Sequence, residues 1–218
     1  MTDAPATPSA PAADFLLLDG GCYFGQKADP AASDTKLLDL YDLPDYDLSP
    51  HLCLVVDPFA DQELLYRERD RIEQFLNCGK VLLFSGHLFR PWIPGASMFV
   101  PKTIRHHGDY AVSVCEPAHP IFEGVLPDDM TFNKGVSGFF ARGHHPLPPR
   151  AEALLTLPGG EPITYIDRHS TSGTIIVHSG NHLLGYGGSV NTSGRIRGQL
   201  MRWIREEAAR LAERTAAL

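Results

Sequence analysis

Histidine recurs just beyond the apolar runs of this chain, where a reactive side chain would be held at the end of a strand. Ser85-Gly86-His87 follows Val81-Leu82-Leu83-Phe84, His119 closes Glu116-Pro117-Ala118-His119, and His178-Ser179-Gly180-Asn181-His182 follows Thr174-Ile175-Ile176-Val177. Asp19-Gly20-Gly21-Cys22 and Asp57-Pro58 follow two further runs. Imidazole titrates near neutral pH, so a histidine fixed at such a point can act as a general base. His87 is the leading candidate, because one glycine separates it from its run and lets the ring project. The competing reading is a histidine that hydrogen-bonds a loop carbonyl. Cys22, with His87 as its base, would make a thiol nucleophile; the alternative is an unreactive loop thiol. Gly86, His119, Asn181 and His182 are the candidate substrate-binding residues. Proline on both sides of His119 also suits it to a purely structural turn.

Other chemistries lack their signatures. His178 with His182, His106-His107 and His144-His145 would each need a further metal ligand from elsewhere, and no cysteine pair completes a structural zinc site. No metal and no cofactor is therefore expected. The chain has no Gly-x-Ser-x-Gly elbow and no Walker loop. The glycine-rich stretch 185–194, with Ser189, Thr192 and Ser193, could hold an anion on backbone N–H groups, or serve simply as a loop before a helix.

The elements that would position these residues follow from apolar patterning. Continuous runs at Phe15–Asp19, Leu52–Asp57 and Val81–Phe84 predict buried strands, and Leu37–Leu40 predicts an edge strand or a helical turn. Asp61 is a good N-cap for a helix reaching about Cys78, with Leu65, Ile72, Phe75 and Leu76 on one face. Strand, helix and strand with short joins make a βαβ unit and hence parallel pairing. Residues 88–108 read as an excursion over the sheet, and Tyr110–Cys115 as a strand. Ile163–Ile166 and Thr174–Val177 read as paired strands around a turn at Ser170–Gly173. A last helix carries Ile196, Leu200, Trp203, Ile204 and Leu211 on one face, with Arg214–Leu218 expected to fray. In open α/β sheets, ligands bind beyond the carboxyl ends of the strands, which is why the histidine segments matter.

Composition sets the outer limits. Of 218 residues, 43% are hydrophobic, enough apolar material for a core rather than a disordered chain. Apolar runs fall far short of the roughly 20 residues of a membrane span. Nineteen Lys and Arg against 26 Asp and Glu give a formal charge of −7, and no basic stripe is evident, which argues against nucleic acid as a partner. The four cysteines are scattered, as in a reducing compartment, and the Ala/Pro-rich start has no secretory pattern, so a cytoplasmic location is expected. The expected organisation is a flexible tail over 1–13 and one α/β domain over 14–218. A small-molecule ligand suits this reading, while a homo-oligomer or a partner protein stays open.

Several segments, in order, resemble the class I glutamine amidotransferase-like superfamily and, within it, the ThuA-like (trehalose-utilisation) group. They are Asp47–Val56, Ile72–Gly79, Val81–His87, His119–Val125, Pro162–Tyr165 and Thr174–Gly185. The resemblance implies a flavodoxin-like, amidotransferase-like three-layer domain with a mostly parallel sheet and flanking helices. In amidotransferases a nucleophilic cysteine lies on the turn after a central strand; here Ser85-Gly86-His87 stands in that place, as a histidine does in ThuA-like chains. Gly180-Asn181-His182 stands where ThuA-like chains tend to read Gly-His-Asp. The implied function is a noncanonical amidotransferase-like domain with a pocket at the carboxyl edge of the sheet. It would be a hydrolase or lyase on a polar or carbohydrate-like substrate with His87 as general base. The alternative is a non-catalytic binding or assembly domain that kept the fold and lost the nucleophile.

Overall fold

The structure, a computed structural model, describes residues 13–21, 34–132 and 136–217. The expected apolar runs form β1 (Phe15–Asp19), β3 (Cys53–Val56), β4 (Val81–Ser85) and β10 (Thr174–His178). The Leu37–Leu40 segment resolves into both of its expected forms: β2 (Thr35–Asp39), then a 3-10 turn over Leu40–Asp45. With β6 (Ser113–Val114), β8 (Glu152–Thr156) and β9 (Pro162–Asp167), these strands make an eight-stranded sheet ordered β2-β1-β3-β4-β10-β9-β8-β6. Pairing is parallel from β2 through to β10 and antiparallel from β10 through β9 and β8 to β6.

Two-residue alternation splits the central strands between two apolar layers. Phe15, Leu17, Cys53, Val55, Val81, Leu83 and Ile176 share one layer with Ile196, Leu200, Trp203, Ile204 and Leu211 of α4 (Arg195–Ala216). Leu16, Leu18, Leu54, Val56, Leu82, Phe84, Ile175 and Val177 face the other, with Leu65 of α1 (Gln62–Arg67) and Ile72, Phe75 and Leu76 of α2 (Arg69–Asn77). Helices thus cover both faces, with Met130 of the short α3 (Pro127–Thr131) joining the α4 layer, and each fully buried leucine or isoleucine contributes about 1.5–3 kcal/mol.

Several elements differ from expectation. The helix after Asp61 is capped as predicted, its carboxylate accepting from the N–H groups of Glu63 and Leu64 at 2.9 and 3.2 Å. It then breaks at Glu68, whose φ of −90° and ψ of 8° interrupt the helical ladder. Tyr110–Cys115 contributes only β6; His107–Tyr110 turns instead as a 3-10 segment capped by His106 and Asp109. β8 is a strand that Glu-Ala-Leu-Leu disguises, because these residues favour helix intrinsically. The carboxyl end of α4 does not fray before Ala216: Thr215 donates to the Leu211 carbonyl at 3.0 Å and Arg214 to the Ser172 carbonyl.

α4 is also tied to the sheet through Glu207, which is buried and accepts from Thr174 at 2.6 Å, Arg168 at 2.9 Å and Arg210 at 2.6 Å. Burial alone would raise its carboxyl pKa; Arg210, Thr174 and Arg168 together hold it at about 2. Thr174 begins β10, so this cluster marks the sheet edge opposite the carboxyl ends of the parallel strands. Among the described residues no helix is long and apolar enough to cross a membrane.

Candidate functional site

β4 lies between β3 and β10, so the segments leaving β3 and β10 can meet above its end. They do: His182 Nδ1 stands 2.8 Å from Asp57 Oδ1. Both atoms are closed off from solvent, and neither has a well-aligned hydrogen-bond partner among the described residues. The imidazole remains partly exposed, at 23%. A carboxylate at this distance from Nδ1 favours a proton there and leaves Nε2 as the nitrogen able to accept one.

The chain beneath this couple is drawn tight. Gly86 has φ +132°, donates its N–H to the His178 carbonyl at 2.8 Å, and lies so near Pro58 that a β-carbon would come within 2.7 Å of Pro58 Cα. That conformation and that contact both require glycine. Gln62, buried at the start of α1, fixes the segment that follows: its amide donates to the His87 carbonyl at 2.7 Å and its Oε1 accepts from Phe89 and Arg90 N–H at 3.0 and 3.3 Å.

His87 leaves this turn as an exposed ring stacked on Phe99, with centroids 3.7 Å apart and planes 13° off parallel. Burial of part of the ring, and then nearby Arg142, lower its pKa. Its backbone is held as the sequence suggested, but the stacking partner is an aromatic face and the carboxylate serves His182 instead. Asn181 is exposed beside His182. Ser85 is fully buried, its hydroxyl receiving the Leu183 N–H at 3.4 Å.

Behind these residues lie two buried histidines. His145 accepts the Leu88 N–H on Nε2 at 3.0 Å, so its proton resides on Nδ1, 2.8 Å from Ser179 Oγ. His178 places Nδ1 2.8 Å from Thr164 Oγ1 and packs edge-on against Phe140. Burial, followed by the neighbouring histidines, pushes both pKa values down to about 3. They are neutral structural groups. In the sequence His145 is legible only as half of a loop pair; its burial depends on the distant Leu88 and Ser179 that it meets.

Two expected site residues do not join this group. His119 sits at the opposite edge of the sheet, packed on Trp203 of α4 at 5.1 Å, with its pKa lowered chiefly by burial and with Glu152, Arg168 and Glu207 as charged neighbours. The reason is strand direction: three successive antiparallel pairings make β6 run opposite to β4, so the segment after it emerges at the far end. His119 instead caps the 3-10 turn Pro120–Phe122, accepting the Ile121 N–H at 3.3 Å. Cys22 lies outside the described residues. Of the three described cysteines, Cys53 is buried, with burial pushing its thiol pKa up, and Cys78 is exposed. No group of three or more His, Cys, Asp or Glu among the described residues is placed to hold a metal ion.

What fold and site define is a mixed α/β protein with a large, mostly parallel sheet and an Asp–His couple over the carboxyl end of its central strands. No family model matches the chain, and no curated protein matches it. A solved structure it resembles is the exo-beta-1,4-mannosidase Op5Man5 from Opitutaceae bacterium strain TAV5, at 12% identity and a TM-score of 0.45. The match covers 94% of this chain and 36% of that one, so the chain spans about a third of the mannosidase's length. A likeness this slight assigns neither a fold family nor an activity.

Proposed function

We propose that the protein is an amidotransferase-like α/β domain, similar to the ThuA-like group, that binds a polar or carbohydrate-like small molecule at the carboxyl edge of its sheet. There it acts as a hydrolase or lyase. The observation that carries this reading is the 2.8 Å approach of Asp57 and His182 across the end of β4. In this reading Asp57 orients His182, His182 Nε2 takes the proton from water or substrate, and Asn181 and Gly86 border the bound molecule. His87, leaving the same turn after β4 and stacked on Phe99, borders the bound molecule in this reading. Phe59 and Phe89, each two residues beyond Asp57 and His87, are exposed, and in this reading they offer apolar faces to a sugar ring.

The test is turnover of chromogenic esters and glycosides by the wild type, His182→Gln, Asp57→Ala and His87→Gln. On any substrate the wild type converts, His182→Gln is expected to lower kcat/KM by about 10² to 10⁴, the usual contribution of a positioned base. Asp57→Ala should reduce it through the same residue, and His87→Gln should act mainly on KM. Wild-type rates from His182→Gln and Asp57→Ala would overturn the assignment.

A second reading has its own support. Ser85, the hydroxyl at the end of β4, is sealed and already hydrogen-bonded, so it offers no nucleophile. A binding domain without catalysis would show saturable sugar binding that His182→Gln weakens, with no turnover by the wild type.

A further inference from the structure

On the antiparallel side of the same sheet edge, the excursion after β4 builds a second concavity. Its short strand β5 (Val100–Pro101) pairs with β7 (Gly143–His144), and the backbones lie so close that a β-carbon on Gly143 would come within 2.3 Å of the Val100 carbonyl oxygen. This brings His144 beside Lys102, with Thr103, Arg105 and Asp109 from the excursion and Glu161 from just before β9. The cleft they line measures about 370 Å³ and opens to solvent, a volume within the range of small-molecule sites.

The polar groups of this cleft are unevenly committed. Glu161 receives Lys102 on one carboxylate oxygen and the Gly159 N–H, at 3.0 Å, on the other. Asp109 accepts the N–H groups of Arg105 and His106 at 2.7 and 3.1 Å, and its second oxygen faces the His106 ring at 3.4 Å. Both acids are therefore occupied. The donors are not. The Lys102 ammonium has N–H groups beyond the one given to Glu161, and the Arg105 guanidinium is exposed, with no side-chain hydrogen bond or ion pair to any described residue. His144 Nδ1 is sealed from solvent without a partner. A buried bare lone pair is tolerated better than a buried orphan N–H, so the His144 proton resides on Nε2 and the ring offers a donor.

We propose that this cleft binds a small oxyanion, the carboxylate or phosphate group of a metabolite, through Arg105, Lys102, Thr103 and the His144 Nε2–H. The planar guanidinium suits two oxygens of either group. This site is separate from the Asp57–His182 couple and does not depend on that couple being catalytic.

The test titrates the full chain with inorganic phosphate and, separately, malonate, followed by two-dimensional amide NMR at constant ionic strength set with chloride. Saturable shifts of the amides of Lys102–Asp109 and His144 are expected, with a Kd on the order of 1 mM, as suits a single anionic group. Arg105→Gln, which removes a side chain without partners and leaves the fold intact, should weaken binding about tenfold or more. Arg202→Gln, the same charge change on the exposed face of α4, should leave it unchanged. Tighter phosphate than malonate would assign a phosphorylated ligand, and the reverse a carboxylate. Shifts that do not saturate, or equal Kd values for Arg105→Gln and the wild type, would overturn the proposal.

Discussion

Gly86→Ala is expected to lower the free energy of unfolding by about 3 kcal/mol or more, because two independent penalties fall on one methyl group. The first is conformational: φ is +132°, where an L side chain is strained. The second is steric, since the new β-carbon would stand 2.7 Å from Pro58 Cα and 3.3 Å from the Pro58 carbonyl oxygen. Backbone, unlike the tip of a flexible side chain, cannot yield cheaply. Relief therefore requires the Asp57-Pro58 segment to move, and Asp57 then parts from His182. Urea unfolding followed through Trp92 and Trp203 would measure the first effect. Gly188→Ala is the control: nothing lies within 4 Å of its β-carbon position, and its effect should stay within about 0.5 kcal/mol. A Gly86→Ala loss as small as that control would show that the turn after β4 is not held against Pro58.

Acid should weaken the fold well above the carboxylate range. His145 and His178 have folded pKa values near 3, against 6.5 for an ordinary histidine, because burial opposes their charged forms. Below pH 6.5 the unfolded chain binds protons that the folded chain refuses. Stability conferred by the two neutral rings is thus complete above pH 6.5 and lost progressively as pH falls towards 3. At about 1.4 kcal/mol per pH unit for each ring, the pair should cost about 4 kcal/mol between pH 7 and pH 5. His87 and His119, whose pKa values are also lowered, act in the same direction. The geometry supplies the mechanism at His145: a proton on Nε2 would abolish its acceptance of the Leu88 N–H. Urea unfolding at pH 7 and pH 5 checks this, and His145→Gln should flatten the profile by about half. An unfolding free energy equal at the two pH values would contradict it.

The central strands were legible because Leu16-Leu17-Leu18 and Leu82-Leu83 are buried on both sides of the sheet and so read as unbroken apolar runs. β8 was not, since Glu152-Ala153-Leu154-Leu155 has helical preference and its strand state comes from pairing with β9. The site was half visible. His87, Asp57 and His182 each stood out as following a strand, yet which of them would meet depends on strand order, and nothing local says that β10 inserts beside β4. His119 shows the converse: the local pattern was sound, but the antiparallel run from β10 to β6 reversed its direction and sent it to the other edge. The cleft around Arg105 was invisible for the same reason, as its walls come from segments about 60 residues apart.

Asp57 orienting His182 is the centre of the proposed site, and the tautomer of that ring reports it directly. Long-range proton–nitrogen NMR of His182 at pH 8 distinguishes a proton on Nδ1 from one on Nε2. The wild type is predicted to carry it on Nδ1, facing Asp57 Oδ1, and Asp57→Ala to shift it to Nε2. A wild-type ring protonated on Nε2, or a tautomer unchanged by Asp57→Ala, would contradict the account.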